Sequence, residues 1–221
     1  KNKGVDASGV ELSDSGHVRV FEFVADSTDT VKGGSWKKIG KDVDGEAASD
    51  FSGSSVSLSA DGKRVAVGAA RNHGVDADDN ELSDSGHARV YEFVADSTET
   101  VTGGSWKQIG ADIDGYLFSE FSGWSVSLSA DGERVAITST NKVRVFQFFN
   151  GSWRQLGINL DTGDGTPGRT VSLSADGNRV AIDIAGGGDA LPYARVFEFS
   201  PSTDEVNGGK WKRIGGDIPG A

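Results

Sequence analysis

Residues 55–68 read SVSLSADGKRVAVG, and the phrase returns as SVSLSADGERVAIT at 125–138 and as TVSLSADGNRVAID at 170–183. In each copy two runs of apolar and small residues flank an Asp-Gly pair: Asp61-Gly62, Asp131-Gly132 and Asp176-Gly177. Asp-Gly between apolar runs predicts a tight β-hairpin, the pair supplying the positive φ values that such a turn requires. Two more phrases recur outward from each hairpin. HARVYEFV (87–94) and SWKQI (105–109) match HVRVFEFV (17–24) with SWKKI (35–39), VRVFQF (143–148) with SWRQL (152–156), and ARVFEF (194–199) with KWKRI (210–214). At a larger scale residues 1–70 and 71–140 are near copies. A recurrence of tens of residues marks supersecondary modules that bury their apolar faces against their neighbours.

Each unit therefore holds four runs of strand length, rich in Val, Phe, Tyr and Trp, with no helical period in any of them. The fold class read from the sequence is all-β. Val18, Val20, Phe21 and Phe23 put apolar side chains on both faces of one run, as in a strand covered from both sides. The serines alternating with Val and Leu in SVSLSA suit an innermost strand where sheets converge. Together these features predict a β-propeller of four-stranded antiparallel blades. Fourteen runs make about three and a half blades: a half-blade over 1–50 and blades over 51–120, 121–165 and 166–221. Such a segment needs the remaining blades of a longer chain, or a second copy, to complete a ring of seven. The start at Lys1, in the middle of a repeat and in a chain without methionine, favours the longer chain.

Composition narrows the function classes. The 221 residues are 36% hydrophobic and include 32 glycines, so the apolar residues are gathered into short strands between many turns. A formal net charge of −11, with Lys and Arg spread along the chain, excludes nucleic acid as a partner and disfavours anionic membranes. No window reaches the roughly 18 apolar residues of a membrane span, so membrane insertion is not expected. The absence of cysteine rules out disulfides, thiolate catalysis and Cys-based zinc sites.

The hairpin LSADGKRVAVG resembles the inner strands of WD40-like and TolB-like propeller blades. The wider unit, FSGSSVSLS (51–59) followed by RVAVGAA (64–70), resembles the FG-GAP repeat of integrin α-chain propellers, with Phe51, Gly53, Gly68, Ala69 and Ala70 at the family's named positions. The whole pattern is similar to extracellular repeat proteins of algae and marine microbes. This likeness implies an extracellular or cell-surface propeller. Calcium-binding FG-GAP blades carry several carboxylates between their first two strands; here that turn holds a single Asp, too few for the six to eight oxygens that calcium takes. The WD dipeptide is absent.

Several positions stand out as candidate sites. The loop GVDADDNELSDSG gathers Asp76, Asp78, Asp79, Glu81 and Asp84, oxygen donors of the type calcium binds, although the paired first loop is poorer in acids, with Asp6, Glu11 and Asp14. Calcium is the one cofactor that the residues suggest, and a solvated acidic loop is the simpler reading. His17 and His87 each follow Ser-Asp-Ser-Gly, and their repetition points to a structural role rather than a catalytic one. Trp36, Trp106, Trp153 and Trp211 recur in register and are expected between sheets. Tyr116, Phe118 and Trp124 replace Glu46, Ala48 and Ser54 of the preceding unit, and an apolar change confined to one connection marks a candidate ligand surface. Asn150 lies in an Asn-Gly-Ser sequon and a tight turn at once. Arg19, Arg89, Arg144 and Arg195 recur in the third strand and are expected to pair with repeat carboxylates.

No catalytic constellation stands apart from the repeat. The leading expectation is a non-enzymatic extracellular module for protein binding, adhesion or structural assembly. A lectin-type propeller with a glycan ligand is the alternative, and a non-catalytic part of a larger secreted hydrolase is a third.

Overall fold

The computed structural model describes residues 3–5, 11–26, 33–96, 103–140, 142–160, 162, 166–185, 191–203 and 208–220. Asp6 of the first acidic loop lies outside them. The chain is all-β, with no α-helix among the described residues.

Three four-stranded meanders carry the repeat. One runs β5 (Ser55–Leu58), β6 (Arg64–Ala69), β9 (His87–Ala95) and β10 (Gly104–Gln108), with β11 (Ile113–Asp114) pairing back onto β9. The next runs β12 (Val126–Leu128), β13 (Arg134–Thr138), β14 (Val143–Phe149) and β15 (Ser152–Gln155). The last runs β16 (Thr166–Leu173), β17 (Arg179–Ala185), β18 (Tyr193–Pro201) and β19 (Gly209–Pro219). Before them stands a two-stranded sheet of β3 (His17–Ala25) and β4 (Gly34–Asp44). Two short hairpins that sequence reading treats as loop also form: β1 (Lys3–Val5) with β2 (Glu11–Ser13), and β7 (Gly74–Val75) with β8 (Glu81–Leu82).

The Asp-Gly turns form where expected, but not with the expected backbone. Gly62, Gly132 and Gly177 take φ of 69°, 68° and 67°, whereas the aspartates do not take positive φ. The Asp contributes its carboxylate instead. Asp61 Oδ1 accepts Ser59 Oγ–H at 2.7 Å and the Lys63 N–H at 3.0 Å, while the Gly62 N–H closes on the Ser59 carbonyl at 3.0 Å. Asp131 and Asp176 repeat the arrangement. The Asn150-Gly151 turn has both residues at positive φ, 49° and 80°.

Among the described residues three apolar cores hold the sheets together, and each lies between consecutive sheets. Val18 and Val43 meet Val65, Val67 and Tyr91; Ala66, Ala88, Val90 and Ile113 meet Val126, Leu128, Val135, Ile137 and Phe146. Val143, Val145, Leu156 and Leu160 meet Ile182, Ile184, Phe197, Phe199 and Trp211. A sheet in this order buries each face only against the neighbour in sequence.

A tryptophan fastens each seam. Trp106 Nε1–H donates to the Ile39 carbonyl at 3.2 Å, Trp153 Nε1–H to that of Ile109 at 2.8 Å, and Trp211 Nε1–H to that of Leu156 at 2.8 Å. Beside each acceptor sits a glycine at positive φ, Gly40, Gly110 or Gly157, where a Cβ would meet the indole at 2.7–3.1 Å. An arginine reaches in the opposite direction over the Asp-Gly turn of the next sheet: Arg64 to the Gly132 carbonyl and Glu133, and Arg134 to the Gly177 carbonyl and Asn178.

Candidate functional site

The connections leading from one sheet into the next carry the chain's most unusual local features. Ser49, Phe51, Ser119 and Phe121 all adopt positive φ, between 52° and 71°. Non-glycine residues take that conformation at a steric cost, and such strain gathers where the surrounding structure over-determines it. Here a buried carboxylate does so. Asp50 Oδ2 accepts the Ala47 N–H at 2.7 Å; one repeat later Glu120 Oε2 accepts the N–H groups of Tyr116 and Leu117 at 2.9 and 3.0 Å.

The two connections differ in what surrounds that carboxylate. Glu120 is fully buried, with Lys142 Nζ 3.2 Å and Arg144 Nη2 3.6 Å from its Oε1, off the directions of a hydrogen bond. Arg144 also donates to the Asp114 carbonyl and to Ser122 Oγ, both at 2.9 Å. The cations continue onto the ring of Tyr116, with Lys142 Nζ 3.8 Å and the Arg144 guanidinium 4.9 Å from its centroid. Tyr116, Leu117 and Phe118 are all exposed, Phe118 at 69% of its surface. A rigid backbone thus presents three large apolar side chains to water.

Trp124 has different partners. Its ring meets Phe121 edge-on at 5.8 Å, Arg169 lies over it at 4.3 Å, and with Phe51, Ser54, Ala70 and Arg71 it lines a cavity of about 200 Å³. Among the described residues no carboxylate pairs with the guanidinium of Arg71 or Arg169, although the Arg169 backbone N–H donates to Asp183 Oδ2 at 3.2 Å. The three aromatic candidates therefore divide between an exposed plate (Tyr116, Phe118) and a half-buried, cation-capped tryptophan.

In the preceding repeat the equivalent place is acidic. Glu46, His87 and Asp112 offer ligand atoms within 4.8 Å of one another, the one such convergence among the described residues. His87 is buried, with Nδ1 3.5 Å from Asp112 and 4.0 Å from Asp114 and no partner for Nε2. Burial, aided by Arg89, pushes its pKa down to about 4, against the pull of Asp112 and Asp50. Burial also raises the carboxyls of Glu46 and Asp114, and Asp112 adds to both shifts. The cation already in place is Arg89, whose Nη1 lies 2.8 Å from Glu46. Arg89 thus already supplies a positive charge against one of the three ligand-bearing side chains. Sequence reading missed the cluster because its members come from three phrases, 46–50, 87–89 and 112–114.

The acidic loop is largely self-satisfied. Asp76 accepts the N–H groups of Asp78 and Asn80 and the Asn80 side-chain amide, while Glu81 accepts Ser83 Oγ–H and pairs with His73 at 2.9 Å. Asp79 and Asp84 sit at positive φ as turn residues, and Asp78 is exposed. The five do not converge as ligands. Asn150 is exposed. The third-strand arginines pair with carboxylates as expected: Arg19 with Asp42, Arg89 with Glu46, Arg144 with Glu120 and Arg195 with Asp217.

No family model and no curated protein matches the chain. Among solved structures it is similar to a candidate 6-phosphogluconolactonase from Bacteroides uniformis, at 13% identity and TM-score 0.37 over 90% of this chain and 82% of that one. A protein of unknown function from Desulfotomaculum acetoxidans matches at 10% identity and TM-score 0.31, over 96% and 88% of the two chains. The complex of KlAtg21 with the coiled coil of AgAtg16 matches at 10% and 0.31, over 88% and 80%. Likeness at this level assigns no activity. No helix among the described residues is long and apolar enough to cross a membrane.

Proposed function

We propose that this chain is a segment of a β-propeller related to the FG-GAP and WD40-like repeats, acting outside the cell as a non-enzymatic module for binding or assembly. The observation that carries the reading is the Tyr116–Phe118 plate. Exposed apolar side chains on a backbone fixed by a buried Glu120 are what a protein ligand rewards, because little ordering entropy remains to be lost. Face-to-face stacking of consecutive four-stranded meanders supports the propeller, and the exposed Asn150 turn is open to glycosylation on a secretory route. A protein ligand is favoured over a glycan because Arg169 already covers a face of Trp124 that a sugar would use.

The test is binding to glycan arrays and to isolated surface-protein fractions by the unaltered chain and by a Tyr116→Ser/Phe118→Ser variant. The proposal expects protein capture by the unaltered chain, lost in a variant whose melting temperature stays within a few degrees. Undiminished capture by the variant would remove the plate as the ligand face. Saturable glycan binding would favour the lectin reading, and ester or glycoside turnover the hydrolase.

A further inference from the structure

Two successive connections meet the sheet that follows them with different chemistry. His87 opens the phrase HARVYEF, and Lys142 holds the same place in KVRVFQF. Lys142 brings its ammonium to 3.2 Å from the buried Glu120, so that carboxylate has a cation built into the chain. One repeat earlier a neutral ring takes the lysine's place, and the acids are more numerous. Glu46, Asp50, Asp112 and Asp114 all lie close enough to His87 or to one another to act on its charge, and Arg89, on Glu46 Oε1, is the guanidinium paired among them. Arg144 reaches Asp114 at its main-chain carbonyl and faces Glu120 instead. His87 itself is 1% exposed, and its Nε2 has no partner. Its Nδ1 points at Asp112 Oδ2 across 3.5 Å and at Asp114 Oδ1 across 4.0 Å, longer than an N–H···O bond prefers. A buried imidazole ordinarily has its nitrogens satisfied.

We propose that Glu46, His87 and Asp112 hold a divalent transition-metal ion of the zinc type, with Asp114 beside its fourth position. Ligands at about 2.0–2.2 Å from a tetrahedral ion stand roughly 3.4 Å apart. The three ligand atoms lie within 4.8 Å of one another, and the His87–Asp112 edge is already 3.5 Å. Asp112 Oδ1 accepts Gln108 Nε2–H at 2.6 Å, which leaves Oδ2 turned to the ring, as an outer partner orients a metal ligand. Arg89 takes one oxygen of Glu46 and leaves the other for the ion. The imidazole selects the class of ion, because calcium and magnesium take oxygen whereas zinc takes imidazole and carboxylate together. Burial keeps that imidazole neutral, the form in which it can be a ligand. The next connection does not repeat the set: Tyr116, Lys142 and Asn159 stand at the places of Glu46, His87 and Asp112. The ion would tie the connection at Glu46 to β9 and to the turn before β11, a structural role separate from the Tyr116–Phe118 plate.

Zinc titration of the chelator-stripped 221-residue chain against a chromogenic competitor tests the proposal. The chain should bind one equivalent more tightly than about 10 μM, though more weakly than a four-ligand structural site, and zinc should raise its melting temperature. His87→Gln, Asp112→Asn and Glu46→Gln should each weaken binding at least about tenfold, the scale on which even an outer partner of a metal ligand matters. His73→Ala should leave the affinity unchanged, since that imidazole pairs with Glu81 on the acidic loop. Among the three histidines, zinc should move the ring NMR signals of His87. Those signals and Asp112→Asn still decide the matter if His87→Gln does not fold. Failure to saturate by about 100 μM zinc would overturn the proposal, as would undiminished affinity in Asp112→Asn or Glu46→Gln. Zinc-dependent shifts at His17 or His73 in place of His87 would overturn it too, and so would tighter binding of calcium than of zinc at this cluster.

Discussion

Glu120 shows how much one buried carboxylate controls. It ties down the connection backbone and balances Lys142 and Arg144, so its removal leaves two cations in a dry site. Glu120→Ala is expected to destabilise the fold by about 3–5 kcal/mol, the usual cost of orphaning half a buried ion pair, as read by urea unfolding. Asp50→Ala, which removes one backbone acceptor without a directly paired lysine, should cost less. His87 brings a pH dependence. Its folded pKa is depressed, so between about 6.5 and 4 the unfolded chain takes up a proton that the folded chain refuses, and stability falls as pH falls. Glu46 and Asp114, with raised carboxyl pKa values, act in the opposite sense at the acidic end of that window. The melting temperature should therefore drop between pH 7 and 5, and His87→Gln should flatten that drop. An unchanged slope in the variant would assign the effect elsewhere.

Among the elements, the hairpin turn and the acidic loop make the sharpest contrast. Gly62 needs a left-handed backbone, and a side chain branched at Cβ there costs about 1–2 kcal/mol. Gly62→Val should therefore lower stability by at least that amount, while Asp78→Ala in the loop, exposed and outside the core, should stay within about 0.5 kcal/mol. Equal losses in thermal unfolding would mean that the loop is scaffold. The third strand shows what its own sequence leaves open. HVRVFEFV and HARVYEFV are nearly identical, yet β9 is buried on both faces through Tyr91, while β3 buries only Val18 and Val20 and leaves Phe21 and Phe23 in water. An apolar pattern on both faces gives a strand the capacity to be covered twice. Whether it is covered depends on a sheet standing there.

Over the whole molecule, the two-stranded sheet β3–β4 takes a full place in the stack, since Trp106 seats on Ile39 just as Trp153 seats on Ile109. Counting strands therefore understates the places: three whole sheets and one half occupy four. Each chain carries the Asn150 sequon on an exposed turn, so expression through a eukaryotic secretory route should add glycan mass that Ser152→Ala removes. An unchanged intact mass would show that the turn alone explains the residues.

The repeat by itself determined the all-β class and the three Asp-Gly hairpins, because these depend on residues close together in one module; it also pointed to a carboxylate for each third-strand arginine, but not to Glu46 and Glu120 of the preceding connection as the partners of Arg89 and Arg144. It missed the short β7–β8 hairpin, whose two-residue strands carry too little apolar pattern to stand out. It also assigned positive φ to Asp61, whose carboxylate stabilises the turn from an ordinary backbone. Only the tertiary structure decided which face of each sheet is covered and that Glu46, His87 and Asp112 converge. These are properties of position in the stack: burial and pKa depend on which neighbour supplies the other wall, and near-identical phrases meet different neighbours.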